Sequence, residues 1–148
     1  MYSIYTDGSS NYNTTMPDGN GGCAFLVLNP NKDEVYSEKK KIKGTVSECE
    51  LTAVLLGLRW AVNNNINMVT IYSDSMYFVK SFNEWIYGWS KNNWKTQTKQ
   101  DVKHSHIMKE FFELKRKFTY CEAVHAKGHN GNIYNEKVDA MAGEARLS

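Results

Sequence analysis

No apolar run in these 148 residues approaches the length that spans a bilayer, and no repeat, low-complexity tract or linker divides them. A strand-like run begins almost at Met1, which leaves no room for a targeting leader. Cysteine is scarce as well. Cys23, Cys49 and Cys121 are odd in number and fall at no metal-ligand spacing, so they read as reduced, structural side chains of an intracellular protein. An excess of one charge is also missing. The 18 Lys and Arg face 16 Asp and Glu, a net +2, which argues neither for nor against a nucleic-acid partner. These absences lead to the expectation of one soluble, cytoplasmic, monomeric domain over residues 1–148, without membrane association and long enough to bury an ordinary core.

What is present is organised around Ser73-Asp74-Ser75. The five residues before it, Met68 to Tyr72, are rich in β-branched and large side chains and predict a buried strand. They stop at an aspartate and a serine, where Tyr77, Phe78 and Phe82 continue a helix. A carboxylate at the carboxyl end of a strand sits where open α/β sheets collect ligands. The first strand, Tyr2 to Thr6, ends the same way in Asp7-Gly8-Ser9. Either acid alone could be an ordinary helix or turn residue; two such ends suggest a shared acidic pocket.

In chain order, a polar loop from Ser10 to Gly22 precedes a second strand, Cys23 to Leu28. A turn at Asn29 to Asp33 leads to a third strand, Glu34 to Lys43, charged enough for a sheet edge. Short connections make these three an antiparallel meander. Leu51, Val54, Leu55, Leu58 and Val62 then repeat with helical spacing. Two capping boxes overlap at that helix start, Thr45 with Glu48 and Ser47 with Glu50, and only one can operate. Under the first, Glu50 is free; under the second, it is a capping partner. A helical crossover makes the strand ending at Asp74 parallel to the first.

Beyond Asp74, Phe78, Phe82, Trp85 and Trp89 have the spacing of a helical core stripe. Lys91, Lys95, Lys99 and Lys103 follow around Trp94, with one acid, Asp101. That pattern suits a solvated loop, and it also suits a nucleic-acid backbone through charge and stacking. A helix from Ser105 to Phe118 and a strand from Cys121 to Ala126 come next, with His125 read as structural. Lys127-Gly128-His129 leads into a last helix capped by Asn132, whose stripe is Val138, Met141, Ala142 and Ala145, and Asp139 lies beside that stripe.

Taken together, Thr6-Asp7-Gly8-Ser9, Glu50-Leu51, Ser73-Asp74-Ser75 and Lys127-Gly128-His129, followed by Asn135-Glu136 and Asp139, resemble type 1 ribonuclease H over essentially the whole chain. The segment from Trp85 to Thr96 is similar to that family's basic protrusion. The resemblance implies an α/β, ribonuclease H-like fold: a five-stranded mixed sheet with strands 1, 4 and 5 parallel, flanked by helices. It implies that Asp7, Glu50, Asp74 and Asp139 hold two Mg²⁺ ions, with Mn²⁺ as a possible substitute, and that His129 assists proton transfer or product release. Hard oxygen donors suit these metals and not zinc. The implied substrate is an RNA–DNA hybrid, its RNA strand cut to 5′-phosphate and 3′-hydroxyl ends. Gly8, Ser9, Glu50, Ser75 and Asn135 match positions around the cut strand. Tyr77, Trp85, Trp89 and Lys95 match a channel for the DNA strand, and Lys43, Thr45 and His104 a DNA-phosphate grip. Two departures stand out: His104 replaces an asparagine, and Val46-Ser47-Glu48 replaces two amides and an arginine. The rivals are a DNA nuclease of related fold, which usually lacks the tryptophan-lysine segment, and a binding module, which would gain nothing from four acids facing phosphates.

Overall fold

The computed structural model describes residues 1–11, 19–126 and 132–148. Five strands form one sheet in the order β3-β2-β1-β4-β5: β1 Tyr2–Ser10, β2 Asn20–Leu28, β3 Glu34–Lys43, β4 Met68–Ser73 and β5 Tyr120–His125. β1 pairs antiparallel with β2, β2 antiparallel with β3, and β4 parallel with both β1 and β5. The expected mixed sheet is therefore present, with the charged β3 at one edge.

Alternation along the strands sends residues to two helical layers. Ile4, Phe25 and Val27 pack with Leu51, Val54 and Leu58 of α1 (Val46–Asn63) and with Phe111 of α4 (Ser105–Lys115). Tyr5, Leu26 and Leu28 face the other way, onto Val138 of α5 (Ile133–Leu147). The ion pairs Lys39–Glu144 at 2.7 Å and Lys137–Glu34 at 2.6 Å fasten α5 to β3. Each is exposed and worth little alone.

The first loop is shorter than expected. β1 continues to Ser10 and β2 already begins at Asn20, because Ser9 pairs with Gly22 and Ser10 with Gly21. Two glycines that read as loop are strand residues onto which helices press. Residues 12–18, within the expected loop, lie outside the described residues.

The aromatic stripe after Asp74 needs a second correction. α2 (Met76–Lys80) and α3 (Ile86–Lys91) are separated by a π-helical turn, Ser81–Trp85. A π turn holds one residue more than an α turn, so the inward position slips by one. Phe78 and Phe82 are fully buried as the stripe requires, but Ile86 takes the next inward place and Trp85 is 42% exposed. Long-range bonds hold the slip. The Asn83 side chain donates to the Ala123 carbonyl at 2.8 Å and accepts from the Ala123 amide at 2.9 Å, covering the open edge of β5 as a strand would. Lys115 Nζ donates to the Phe82 carbonyl at 2.7 Å and lies over the Phe82 and Tyr87 rings.

Candidate active site

β1 and β4 stay in register only as far as Tyr5 and Tyr72, after which Thr6 Oγ1 donates to the Tyr72 carbonyl at 3.2 Å. Beyond that point the chain turns to β2 on one side and to α2 on the other. This is the switch point of the sheet, where a crevice opens at the carboxyl ends of parallel strands. Asp7 and Asp74 stand at its two lips.

The third acid comes from α1. Thr45 is the N-cap: its hydroxyl accepts from the Glu48 amide at 3.2 Å, and Glu48 Oε1 accepts from the Thr45 amide at 3.1 Å. The Thr45–Glu48 box operates, so Glu50 is free of capping duty. Its helix can approach β1 because residue 8 is glycine. A β-carbon at Gly8 would lie 2.5 Å from the Cys49 carbonyl carbon and closer still to the Glu50 amide.

One carboxylate oxygen from each of Asp7, Glu50 and Asp74 lies within 4.8 Å of the others. Asp7 is buried, Glu50 half-buried and Asp74 exposed, so the cluster opens outward. Asp139, exposed on α5, stands outside that tight trio but beside Asp7, close enough to share a hydrogen bond with it. Burial first, then Asp74, then Asp139 push Asp7 up to about 8, against the pull of the Gly8 amide, which donates to Asp7 Oδ1 at 2.8 Å. Burial and then Asp74 raise Glu50 to about 7, while Ser75 draws it down. Without a cation the site therefore retains protons near neutrality. A divalent ion is the natural replacement for those protons, and an all-oxygen donor set suits a hard one.

The remaining sequence candidates are placed as follows. Ser75 caps α2, accepting from the Phe78 amide at 3.2 Å, and flanks the trio. Ser9 accepts from Arg146 Nε at 3.0 Å. Asn135 is half-buried in the first turn of α5, its amide bonded to the Asn132 cap. Gly8 has a packing role that its glycine-turn context did not reveal. His129 lies outside the described residues. His125, read as structural, ends β5 with its ring Nε2 3.2 Å from the Asp74 carbonyl oxygen.

Trp85 stacks obliquely between Tyr77 at 6.1 Å and Trp89 at 6.0 Å, and both tryptophans line a cleft of about 690 Å³ with Lys95 and Thr96. This cleft belongs to the aromatic-basic segment, and none of the acids lines it. Lys95 is ion-paired with Asp101, an arrangement that fastens the segment across its base. Lys43 is exposed at the end of β3, next to Thr45. His104 is the N-cap of α4: it adopts a left-handed conformation at φ 57° and makes no capping bond. Its buried Nε2 has no hydrogen-bond partner among the described residues. Burial and Lys103 depress its pKa, while Glu48 of the capping box opposes them. Arg146 is a site neighbour that sequence periodicity missed, since a last-turn arginine carries no signal of what it touches.

Comparison with known proteins adds the family. The RNase H family model matches residues 1–146. A protein named Ribonuclease H from Dechloromonas aromatica is 36% identical over 139 residues, covering 94% of this chain and 88% of the relative. The solution structure of the PFV RNase H domain superposes with a TM-score of 0.86 at 21% identity, covering 99% of this chain and 94% of that one. The foamy viral protease-reverse transcriptase in complex with RNA/DNA hybrid gives the same TM-score, 0.86, at 21% identity, over 98% of this chain and 20% of that much longer one.

Proposed function

We propose, from the premise that this chain belongs to the RNase H family and is an endoribonuclease, that it hydrolyses the RNA strand of RNA–DNA hybrids to 5′-phosphate and 3′-hydroxyl ends. One observation carries the reading: Asp7, Glu50 and Asp74 converge within 4.8 Å at the sheet's switch point, with Asp139 beside them. These four acids are the ligands we assign to two Mg²⁺ ions, for which Mn²⁺ could substitute. The chemistry such ions supply when bound is activation of water for in-line attack on a phosphodiester and stabilisation of the departing 3′ oxygen.

The chain's own groups do the rest. Asp7 and Glu50, both raised in the metal-free site, would give up their protons on holding such ions. Gly8 keeps α1 against β1, so that Glu50 stays in reach of Asp74. We assign His129 a proton-transfer or product-release role on sequence resemblance alone. The cleft between Trp89 and Lys95 offers ring faces to a second strand, as strand-binding grooves do, and Lys95 would exchange its Asp101 partner for a phosphate there. That a similarly folded domain occurs in a complex with an RNA/DNA hybrid supports a hybrid as the ligand. An RNA strand within such a duplex is told from DNA by its 2′-hydroxyls across the wide minor groove.

The test is cleavage of end-labelled hybrid, RNA duplex, DNA duplex and each single strand, with Mg²⁺ and with chelator. The reading predicts cutting of the RNA in the hybrid alone, only with metal, and products bearing 5′-phosphate. Comparable cutting of DNA duplex would favour a DNA nuclease of related fold.

A further inference from the structure

We propose that Arg146 grips the phosphodiester backbone of the strand being cut, beyond the scissile phosphate on the side of Ser9. The inference rests on the nuclease reading above, since it needs a nucleic-acid strand lying over Asp7.

α5 carries two residues to the end of the sheet where the acids lie. Asp139 meets Asp7, and Arg146 meets Ser9. Arg146 follows Asp139 by seven positions, close to two helical turns, so both belong to one face of α5, about 10 Å apart along its axis. Asp7 and Ser9 are likewise alternate residues of β1, sharing one face about 7 Å apart. Strand and helix therefore run side by side past the acidic centre, with the arginine at the further end. Successive phosphates of one strand are joined through a single sugar, a reach of the same order as this spacing. A backbone whose reacting phosphate lay over Asp7 would bring a neighbouring phosphate towards Arg146.

The arginine is held for such a contact. Gly22 of β2 lets the last turns of α5 press on the sheet, for a β-carbon there would come within 2.6 Å of the Arg146 amide nitrogen. Arg146 Nε donates to Ser9 Oγ at 3.0 Å, which fixes the half-buried side chain by one edge. Among the described residues it makes no ion pair, and Glu144, the acid nearest to it on α5, is taken by Lys39 at 2.7 Å. A cation in the last turn of a helix is favourable in itself, but that needs no anchor on a strand. A fork held by one edge, with its terminal amino groups uncommitted to any acid, is the geometry that takes a phosphate oxygen pair with little ordering cost.

Three variants test the assignment: Arg146→Gln, which keeps bulk and a donor for Ser9, Arg146→Lys, which keeps charge, and Arg146→Ala. Hybrid affinity is measured against salt in an Asp74→Asn background, and steady-state cleavage in the otherwise native chain. Arg146→Gln and Arg146→Ala should weaken binding about tenfold, or about 1.4 kcal/mol, and flatten the slope of log K against log salt by roughly 0.7 to 0.9. In cleavage the loss should appear in KM and not in kcat, and Arg146→Lys should keep the native salt slope. A native salt slope and affinity in Arg146→Gln would overturn the assignment. A native chain that cuts no hybrid would instead overturn the proposed function, so the two failures are distinguishable.

Discussion

Gly8 and Glu50 are in backbone contact: the Cα of one lies against the amide of the other so closely that no side chain fits between them. The acid reaches the trio because its helix is allowed to touch the strand. The neighbours of Gly8 on that side are the backbone of Cys49 and Glu50, which cannot rotate away.

Gly8→Ala should therefore cost about 1–3 kcal/mol of stability, the range for overpacking, and move Glu50 away from Asp74. Urea unfolding and metal-binding calorimetry on the same variant check this. Native stability with native metal affinity would show that α1 can shift freely.

The metal-free protein should lose stability as pH rises. Asp7 and Glu50 have folded values of about 8 and about 7, above their ordinary values of 3.8 and 4.5. A raised acid contributes stability that is fully present below its unfolded pKa and lost as pH rises through its folded pKa. His104, depressed below 6.5, acts in the opposite sense, losing stability as pH falls below that value. Melting is therefore best followed from about pH 6.5 to 9, where the acids dominate. The melting temperature should fall across that range, flatten in Asp7→Asn, and recover on adding Mg²⁺. A metal-free melting temperature that rises with pH here would contradict the burial argument.

Much of this was legible in the residues, and the exceptions share a cause. The parallel placement of β1 and β4 followed from the helical stripe between them, and the acids at their ends from the strand pattern alone. Whether Thr45 or Ser47 capped α1 was not decidable locally, because both boxes satisfy the same rule; in the structure Thr45 is the cap. The stripe Phe78, Phe82, Trp85, Trp89 lost Trp85 to the surface, with Trp89 still packed partly on the core, because the π turn depends on Asn83 meeting Ala123, forty residues away. Gly21 and Gly22 read as loop for the same reason. Nothing near them in sequence announces that α1 and α5 press on them from both faces. Local periodicity sees one element at a time, and these features belong to contacts between elements.

If His104 belongs to a DNA-phosphate grip, hybrid affinity should depend on pH. In the free protein its imidazole is held below the usual value by burial and Lys103, and a phosphate beside it would favour the charged ring. Binding would then take up a proton, and affinity should rise as pH falls from about 8 to 5.5. Measured in an Asp74→Asn background at fixed metal, His104→Asn should remove that dependence. The same pH profile in both proteins would take His104 out of the phosphate site.

Asp74 is the exposed member of the trio and the one whose charge raises both Asp7 and Glu50. The most direct measurement is single-turnover cleavage of a labelled RNA–DNA hybrid by the native chain and by Asp74→Asn, each with saturating Mg²⁺, with folding checked by melting. The account predicts that the variant folds, melts no lower than the native chain without metal, and cuts at below about 1% of the native rate, as loss of a ligand in a metal-assisted hydrolysis requires. A folded Asp74→Asn that cuts the hybrid at close to the native rate would contradict it.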